Sequence, residues 1–350
     1  MIVKLFMCGG EHNRLVSEIP LGIGYMLTNT LDAKLVYVKD WKDLQGADII
    51  GLSSNAWGLP EAHDIASRMK VTSPSSRIVL GGQGTLWKPL EDFNAHHFDN
   101  IVHGDGERAL QAIVAGHVPA KTVVEKRVED IDTLKFPERG RCKASVPIIT
   151  SRGCPYNCAF CTSRAQWGKP RLRSVDNLAA EIEYLLGRYK KMTELYILDD
   201  LWAYPQKRFD EFYSWWMSHK MNKRLSVRGF VRSNMVTKDL LLKMKRMGFS
   251  RVRFGAETAS PRLLKAINKG ATVEDHQRAI DLAQEVGLPI TASFMRKLPG
   301  ETREDRKLTQ KFLVKNKGKL RIEGNYEFKP FPGCALYKGE SPLKFDMRVR

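Results

Sequence analysis

The stretch SRGCPYNCAFC, residues 151–161, places three cysteines within eight positions of one another. Cys154, Cys158 and Cys161 follow a C-x3-C-x2-C spacing, which lets three sulfurs of one loop converge on a single inorganic core. Thiolates grouped in this way are typical ligands of an iron–sulfur cluster. A structural zinc site would require a fourth cysteine or histidine at short range, and the sequence has none there. Three ligands leave one iron of a four-iron cluster open, which is typical of a catalytic cluster.

Strands and helices alternate on the carboxyl side of these cysteines. We predict strands at 147–150, 194–198, 226–231, 251–255, 289–294 and 320–328, and helices at 175–189, 205–219, 237–247, 260–267, 273–286 and 302–315. Six such units predict a partial (β/α)6 barrel, in which catalytic groups gather at the carboxyl ends of the strands. We place this barrel at residues 147–337, followed by a short tail at 338–350.

The same alternation occupies the amino-terminal part of the chain. We predict strands at 2–7, 33–38, 47–53, 77–82 and 100–104, with helices at 20–31, 59–71, 88–94 and 105–115. Crossover helices between strands predict a parallel sheet, so the fold class is α/β with a doubly wound, Rossmann-like domain at residues 1–120. Residues 121–146 lack sustained periodicity, and we interpret them as a linker. Glycines follow several strands, where ligands of such sheets bind, although glycines also end strands without binding anything.

The composition excludes several classes of protein. No run of apolar residues approaches 18, and the amino terminus is typical of a first strand rather than a signal peptide, so we predict a cytoplasmic protein without a membrane span. Residues 1–120 hold 10 basic and 13 acidic residues, whereas the remainder holds 47 and 26, a balance of +21. A basic second part favours an anionic small molecule or an RNA as partner, or it is a solvated surface that keeps the protein soluble.

The cysteine spacing, together with Ser151-Arg152-Gly153 before it, resembles the radical S-adenosylmethionine (SAM) superfamily. The resemblance implies a [4Fe–4S] cluster on the three cysteines and S-adenosylmethionine as its ligand. It implies that an electron from the cluster cleaves this cofactor to a 5′-deoxyadenosyl radical. The aromatic Phe160 matches a family position that packs near the adenine. A flavodoxin- or ferredoxin-type protein is the implied electron donor.

Further positions match the family at the ends of the predicted barrel strands. Asp199 and Asp200 follow the second strand, where the family carries polar groups that face the cofactor. Arg232 and Ser233 follow the third, similar to residues that contact the methionine carboxylate or the ribose. Glu257 stands in a Gly-x-Glu element after the fourth, as a candidate ligand of the sugar or the amino group. Each of them alone is also compatible with a surface group at a strand end.

Two departures from the family pattern concern catalysis. Lys297 precedes Leu-Pro-Gly-Glu in place of the usual glycine, and it is a candidate contact for an anionic substrate or for the S-adenosylmethionine carboxylate. The alternative is an exposed lysine. Cys334 follows Pro-Phe-Pro-Gly where the family has threonine, and its thiol could donate hydrogen or hold a radical. The alternative is a small buried apolar residue.

The amino-terminal domain resembles the cobalamin-binding domain that precedes many radical SAM barrels. The resemblance implies that its strand-end and helix-start residues surround the cofactor, namely Leu21, Gly22, Ser53, Ser54, Gly81, Gly82, Gly104 and Glu107. The Asp-x-His-x-x-Gly element that supplies a cobalt ligand in many cobalamin proteins is missing, and His12 is the nearest candidate. A domain kept only for packing or for substrate binding is the alternative.

These features together predict a cobalamin-dependent radical SAM enzyme that methylates an unactivated carbon. The alternatives are a non-methylating oxidoreductase or cyclase of the same superfamily, and an RNA-modifying member that binds nucleic acid through the basic barrel domain. The substrate is accordingly a small molecule, a peptide or an RNA.

Overall fold

The computed structural model describes residues 1–9, 17–339 and 341. The described chain divides into two compact units. The first comprises Met1–Cys142, Ala165–Gly168 and the described residues from Phe331 onward, and the second comprises Lys143–Arg164 and Lys169–Pro330. Among the described residues, no helix is long and apolar enough to cross a membrane.

The first unit is built on one six-stranded parallel sheet. Its strands are β1 (Ile2–Met7), β2 (Lys34–Tyr37), β3 (Ile49–Ser53), β4 (Arg77–Gly81), β5 (Asn100–Gly104) and β6 (Thr122–Lys126), and its helices are α1 (Leu21–Asn29), α2 (Leu59–Thr72) and α3 (Gly106–Val114). The strand order is β2-β1-β3-β4-β5-β6. Buried residues of α2 pack on one face of the sheet, and those of α1 and α3 pack on the other. This arrangement confirms the predicted doubly wound α/β domain.

The predicted linker contributes a strand to this sheet. Residues 122–126 form β6, which pairs in parallel with β5 along the sheet edge. Only Val124 of this strand is buried. A short edge strand with one buried residue carries little periodicity, so its sequence resembles a connector. The predicted helix at 88–94 is a 3-10 turn over Lys88–Glu91.

The second unit contains the predicted partial barrel. Its strands are β7 (Ser145–Ile148), β8 (Ser151–Arg152), β9 (Arg171–Leu172), β10 (Glu194–Ile197), β11 (Ser226–Arg228), β12 (Val252–Glu257), β13 (Ile290–Arg296) and β14 (Leu320–Glu327). Its helices are α4 (Ser163–Trp167), which runs into the first unit, α5 (Val175–Arg188), α6 (Gln206–Ser218), α7 (Lys238–Met247), α8 (Pro261–Ala266), α9 (Val273–Val286) and α10 (Arg303–Lys315).

Six of these strands form the wall of the barrel. Strands β7, β10 and β11 pair in parallel, and so do β12, β13 and β14. Two parallel bridges, Val227 with Phe249 and Val231 with Phe254, join the two groups. The resulting order β7-β10-β11-β12-β13-β14 confirms the partial (β/α)6 barrel. Because all six strands run in one direction, their carboxyl ends meet at one end of the barrel.

Candidate active site around the cysteine loop

The three cysteines lie on a loop that a small antiparallel ladder closes. Ser151 and Arg152 of β8 pair with Leu172 and Arg171 of β9, so the chain leaves β7, makes the loop and returns beside its start. We call residues 153–161 the cysteine loop. Its first residue, Gly153, has φ +89°, a conformation that favours glycine, and it turns the chain directly before the first cysteine.

The three sulfurs of this loop have different surroundings. Cys158 is buried, Cys154 is half-buried and Cys161 is exposed. The Cys158 sulfur accepts a hydrogen bond from Arg232 Nη1 at 3.3 Å, and the Cys161 sulfur accepts one from the Ser163 backbone N–H at 3.4 Å. Donors of this kind stabilise a thiolate. Desolvation raises the pKa of the Cys154 thiol, so it must lose a proton when it binds a metal.

The donor set fits a polynuclear cluster better than a single ion. Within residues 1–9, 17–339 and 341, no three cysteine, histidine or carboxylate side chains converge closely enough to chelate one metal ion. A tetrahedral zinc site requires such convergence, whereas the thiolates of an iron–sulfur cube bind separate iron atoms. The three sulfurs of the loop are donors of the kind that such a cluster uses.

Arg232 connects the cysteine loop to the end of β11. Its guanidinium is 7% exposed, lies 3.6 Å from the centre of the Tyr156 ring and donates to the carbonyl of Lys269 as well as to Cys158. Arg232 thus lies beside the cysteine loop. Its neighbour Ser233 points elsewhere, since it is fully buried and its hydroxyl pairs with His276 Nδ1 at 2.7 Å.

Glu257 lies at the end of β12 and forms a buried ion pair that the sequence did not indicate. Its carboxylate accepts from Lys269 Nζ at 2.6 Å, and both residues are at most 8% exposed. The same ammonium lies 5.4 Å from the centre of the Phe160 ring. Glu257 and Phe160 are therefore brought together, with Lys269 between them. Lys269 follows a helix rather than a strand, so the strand-end pattern gave no signal for it.

The two aspartates after β10 brace the start of the loop. Asp199 is 5% exposed and accepts from the Thr150 N–H at 2.6 Å, from the Thr150 hydroxyl and from the Ser151 hydroxyl at 2.7 Å. Burial raises its pKa, and these hydrogen bonds oppose the shift. Asp200 accepts from the Ser163 hydroxyl at 2.6 Å. In this structure both carboxylates accept hydrogen bonds from protein groups, and the Asp199 side chain is buried.

Lys297 and Cys334 lie in different units. Lys297 is exposed, has φ +58° and pairs with Glu327 at 2.9 Å, while its backbone N–H donates to Glu301 at 2.6 Å. Lys297 stands where the family pattern has glycine, and it adopts the positive φ that glycine favours, so the turn keeps the same backbone conformation. Cys334 is 6% exposed and belongs to the first unit, not to the barrel in which we had placed it.

The candidate residues of the first unit follow the carboxyl ends of its strands. Strand order reverses between β1 and β3, and ligands of open α/β sheets bind at such a switch point. Ser53 is half-buried at the end of β3, whereas Ser54 is 2% exposed and its hydroxyl donates to the Asn55 carbonyl at 2.7 Å. Ser53 is thus the serine more open to a ligand.

The four glycines of the set divide into two kinds. Among the atoms of the described residues, a Cβ on Gly22 would meet none within 4 Å and one on Gly81 would meet only Val102 at 4.0 Å, so there is room beside both backbones in this part of the chain. Gly82 and Gly104 have φ +90° and +86°, and a Cβ there would lie 2.5 Å from a backbone carbonyl. These two are required by the fold itself.

The remaining predicted residues of the first unit are buried or lie outside the described chain. Leu21 is 6% exposed at the start of α1, and Glu107 is 4% exposed in the first turn of α3. His12, the nearest candidate for a cobalt ligand, lies outside the described residues.

Comparisons with known proteins place the barrel in a family. Residues 148–313 match the model of the radical SAM superfamily. An uncharacterized methyltransferase of Pyrococcus horikoshii is 29% identical over 327 residues, which cover 83% of this chain and 69% of that protein. The anaerobic magnesium-protoporphyrin IX monomethyl ester cyclase of Rubrivivax gelatinosus is 26% identical over 301 residues, which cover 75% of this chain and 53% of the cyclase. This chain therefore spans about half the length of the cyclase.

A solved structure resembles nearly the whole chain. The radical S-adenosylmethionine methyltransferase TsrM from Kitasatospora setae, solved with cobalamin and a [4Fe–4S] cluster bound, matches with a TM-score of 0.75 over 96% of this chain and 73% of TsrM. At 15% sequence identity the match establishes a common fold. The matching family model and the cysteine loop after the first barrel strand identify residues 148–313 as a radical SAM domain, and the chain is similar to enzymes that carry this domain.

Proposed function

We propose that this enzyme binds a [4Fe–4S] cluster through Cys154, Cys158 and Cys161 and uses it to cleave S-adenosylmethionine. The observation that carries the proposal is the hydrogen bond from the buried Arg232 to the Cys158 sulfur, which puts a guanidinium at the cysteine loop. When bound, the cluster supplies the electron that breaks the S–C5′ bond and releases a 5′-deoxyadenosyl radical.

The residues around the cysteine loop match the polar groups of this cofactor. The Arg232 guanidinium is a donor fork of the kind that recognises a carboxylate. Glu257 supplies the acceptor for an ammonium group or for a ribose hydroxyl. The Phe160 ring offers an apolar face for the adenine. Arg232 and Glu257 are buried, which excludes water and strengthens the interactions of these two side chains.

Replacement of the three cysteines by alanine tests this proposal. We expect the variant to contain no iron or sulfide after anaerobic reconstitution and to form no 5′-deoxyadenosine with dithionite. Cys142→Ala is the matched control, because it removes a thiol outside the loop and should leave both measurements unchanged. Deoxyadenosine formation by the triple variant would refute the proposal.

We further propose that the first unit binds cobalamin at the carboxyl ends of its strands and that the enzyme methylates an unactivated carbon. Three observations support this. The strand order has its switch point between β1 and β3, the backbones of Gly22 and Gly81 are open, and the fold is shared with a cobalamin-bound methyltransferase. The Gly22 and Gly81 positions would let a large ring approach the backbone closely.

Cobalamin binding and methylation have separate tests. Protein purified anaerobically with hydroxocobalamin should retain a corrin absorption spectrum after gel filtration, and a spectrum without corrin bands would reject the cobalamin proposal. The methyl group of labelled S-adenosylmethionine should then appear in the product. A labelled pool that yields deoxyadenosine and no methylated product would favour the non-methylating alternative, which the similarity to the Rubrivivax cyclase supports.

The partners follow from the same proposal. We propose a flavodoxin- or ferredoxin-type electron donor in the cytoplasm and a small-molecule substrate. The basic excess of +21 after residue 120 keeps an RNA substrate as the second candidate. Binding of a tRNA pool that falls steeply with rising salt would favour RNA, because counterion release makes nucleic-acid affinity depend on salt.

A further inference from the structure

A short turn after α8 contacts the middle of the cysteine loop as well as Arg232 and Glu257. We call residues 267–270 the clamp turn. Asn268 has φ +49°, its N–H donates to the Lys265 carbonyl at 3.0 Å, and the Lys269 N–H donates to the Leu264 carbonyl at 3.0 Å. This pair of bonds is a Schellman motif, with Asn268 in the left-handed position that normally holds glycine or asparagine. The end of α8 therefore fixes the backbone of the turn.

The clamp turn holds the cysteine loop on both sides of Cys158. The Ala159 N–H donates to the Ile267 carbonyl at 2.8 Å, and the Asn268 side-chain amide donates to the Asn157 carbonyl at 2.8 Å. The Cys158 sulfur itself lies 3.9 Å from the Lys269 carbonyl oxygen. The clamp turn therefore positions Cys158, the most buried of the three cysteines, through hydrogen bonds to the residues directly before and after it.

The same turn reaches the ends of β11 and β12. The Lys269 carbonyl accepts from Arg232, and the Gly270 carbonyl accepts from the Asn234 amide at 3.0 Å. The Lys269 ammonium pairs with Glu257 at 2.6 Å inside the protein. A buried ion pair gains little net stability because both ions lose their hydration. Its effect here is to fix the direction of the Glu257 carboxylate.

These contacts divide by chemistry into two sets. The backbone of the turn and the Asn268 amide act on the cysteine loop, and order it before any cluster binds, which lowers the entropy lost on metal binding. The Lys269 ammonium pairs with Glu257 and otherwise lies over the Phe160 ring, and within the described chain it makes no hydrogen bond to the backbone of the cysteine loop. The sets belong to neighbouring residues and can be removed one at a time.

We infer that the clamp turn has two separable positioning functions: Asn268 holds the cysteine loop in its cluster-binding conformation, and Lys269 holds Glu257 for S-adenosylmethionine. The inference rests on the proposed function, in which the three cysteines bind the cluster and Glu257 contacts the cofactor. It predicts that substitutions of Asn268 accelerate the loss of iron and spare the affinity for S-adenosylmethionine, and that substitutions of Lys269 do the reverse.

The Asn268 side of the inference is tested with two variants. Asn268→Gly keeps the left-handed backbone and loses the side-chain bond, and Asn268→Asp keeps the shape but sets a carboxylate against the Asn157 carbonyl. We expect iron loss to a chelator to be roughly fivefold faster in both, which is the effect of one lost hydrogen bond. Hydrogen exchange of the Ala159 amide should accelerate in cluster-free Asn268→Asp. The dissociation constant of S-adenosylmethionine, measured on the loaded, unreduced fraction, should stay within about twofold of wild type.

Lys269→Met should give the reverse pattern. We expect S-adenosylmethionine to bind roughly tenfold more weakly, since Glu257 loses the charged donor that orients it, while iron loss stays at the wild-type rate. Lys269→Arg should restore most of the affinity. Lys265→Gln, which changes an exposed lysine in the last turn of α8, controls for the lost charge. If Lys269→Met does not fold, Lys269→Gln replaces it, because its amide still donates to Glu257 without the charge.

The outcomes separate this inference from the proposed function. If the wild-type chain takes up no iron and sulfide, or its loaded form does not bind S-adenosylmethionine, the proposed function fails. If wild type does both and the Asn268 variants keep their iron as well as wild type, or the variants at 268 and 269 lose iron and affinity together, the two functions assigned to the clamp turn are wrong.

Discussion

His276 shows how burial sets the protonation of a single side chain in this protein. It lies in α9 with no exposed area, and desolvation lowers its pKa from the ordinary value of 6.5 to about 4. An unfolded chain binds this proton below pH 6.5, whereas the folded chain does so only below about pH 4. Its contribution to stability is therefore complete above pH 6.5 and disappears as the pH falls toward 4.

We expect His276→Asn to flatten the pH dependence of the unfolding free energy. The asparagine amide can take the place of Nδ1 beside Ser233, and it does not titrate. The loss of stability between pH 6.5 and pH 4 should shrink by up to about 3 kcal/mol, measured by urea unfolding at several pH values. Desolvation also lowers the pKa of His63, in the first unit, to about 4. His63→Asn should therefore remove a separate part of the pH dependence of the unfolding free energy. If the unfolding free energy of His276→Asn depended on pH as that of wild type does, the lowered pKa of His276 would be wrong.

Single residues of the site differ in how well the sequence predicts them. Arg232 and Glu257 are predictable because they follow strands, and the ends of parallel strands meet. Lys269 and His276 belong to a helix end and a helix, and only the folded chain brings them to the site. Asp199 follows a strand too, but a pattern cannot tell which way a strand-end carboxylate turns. It turns toward Thr150 and Ser151.

At the scale of elements, Asp305 joins the starts of two helices. Thr302 caps α10 and Ser260 caps α8, and the Asp305 carboxylate accepts from the Thr302 N–H at 2.8 Å, from the Ser260 hydroxyl at 2.5 Å and from Arg262. Although burial alone would raise the pKa of Asp305, these donors hold it well below its ordinary value. The carboxylate is thus charged throughout the neutral range.

We expect Asp305→Ala to destabilise the second unit by about 2–4 kcal/mol, since it removes one helix cap and leaves buried donors without an acceptor. Asp305→Asn keeps one acceptor oxygen and should cost less. Urea unfolding monitored by tryptophan fluorescence measures both, and Glu304→Ala, an exposed neighbour in the same turn, is the control. Equal stabilities of Asp305→Ala and Glu304→Ala would show that the shared cap is unimportant.

Elements with a buried face were predictable, and elements without one were not. The periodic pattern of apolar residues over the fourteen residues of α9 marks its bounds, and the prediction of 273–286 matches the structure. Strands β8 and β9 have two residues each, too few for any periodicity, and their pairing depends on the cysteine loop closing between them. Strand β6 is longer but buries one residue.

At the scale of the whole molecule, each unit has its own sheet and its own candidate residues. The proposed cobalamin residues lie in the first unit, and the cysteine loop and its supporting residues lie in the second. Corrin absorbance and iron content, each expressed per chain, therefore report on different units. A substitution that destabilises the sheet of the first unit should lower the corrin absorbance and leave the iron content unchanged.

Gly82 and Gly22 provide the matched pair for this last prediction. Alanine at Gly82 would need φ +90° and would bring its Cβ to 2.5 Å from the Ser54 carbonyl oxygen, so we expect a loss of about 1–3 kcal/mol in the first unit and little retained cobalamin. Alanine at Gly22 meets no atom of residues 1–9, 17–339 or 341 within 4 Å, so the fold should keep its stability while a ring that lies on this backbone binds more weakly. Iron content should match wild type in both variants. Equal losses of iron and corrin in Gly82→Ala would mean that the two units unfold together.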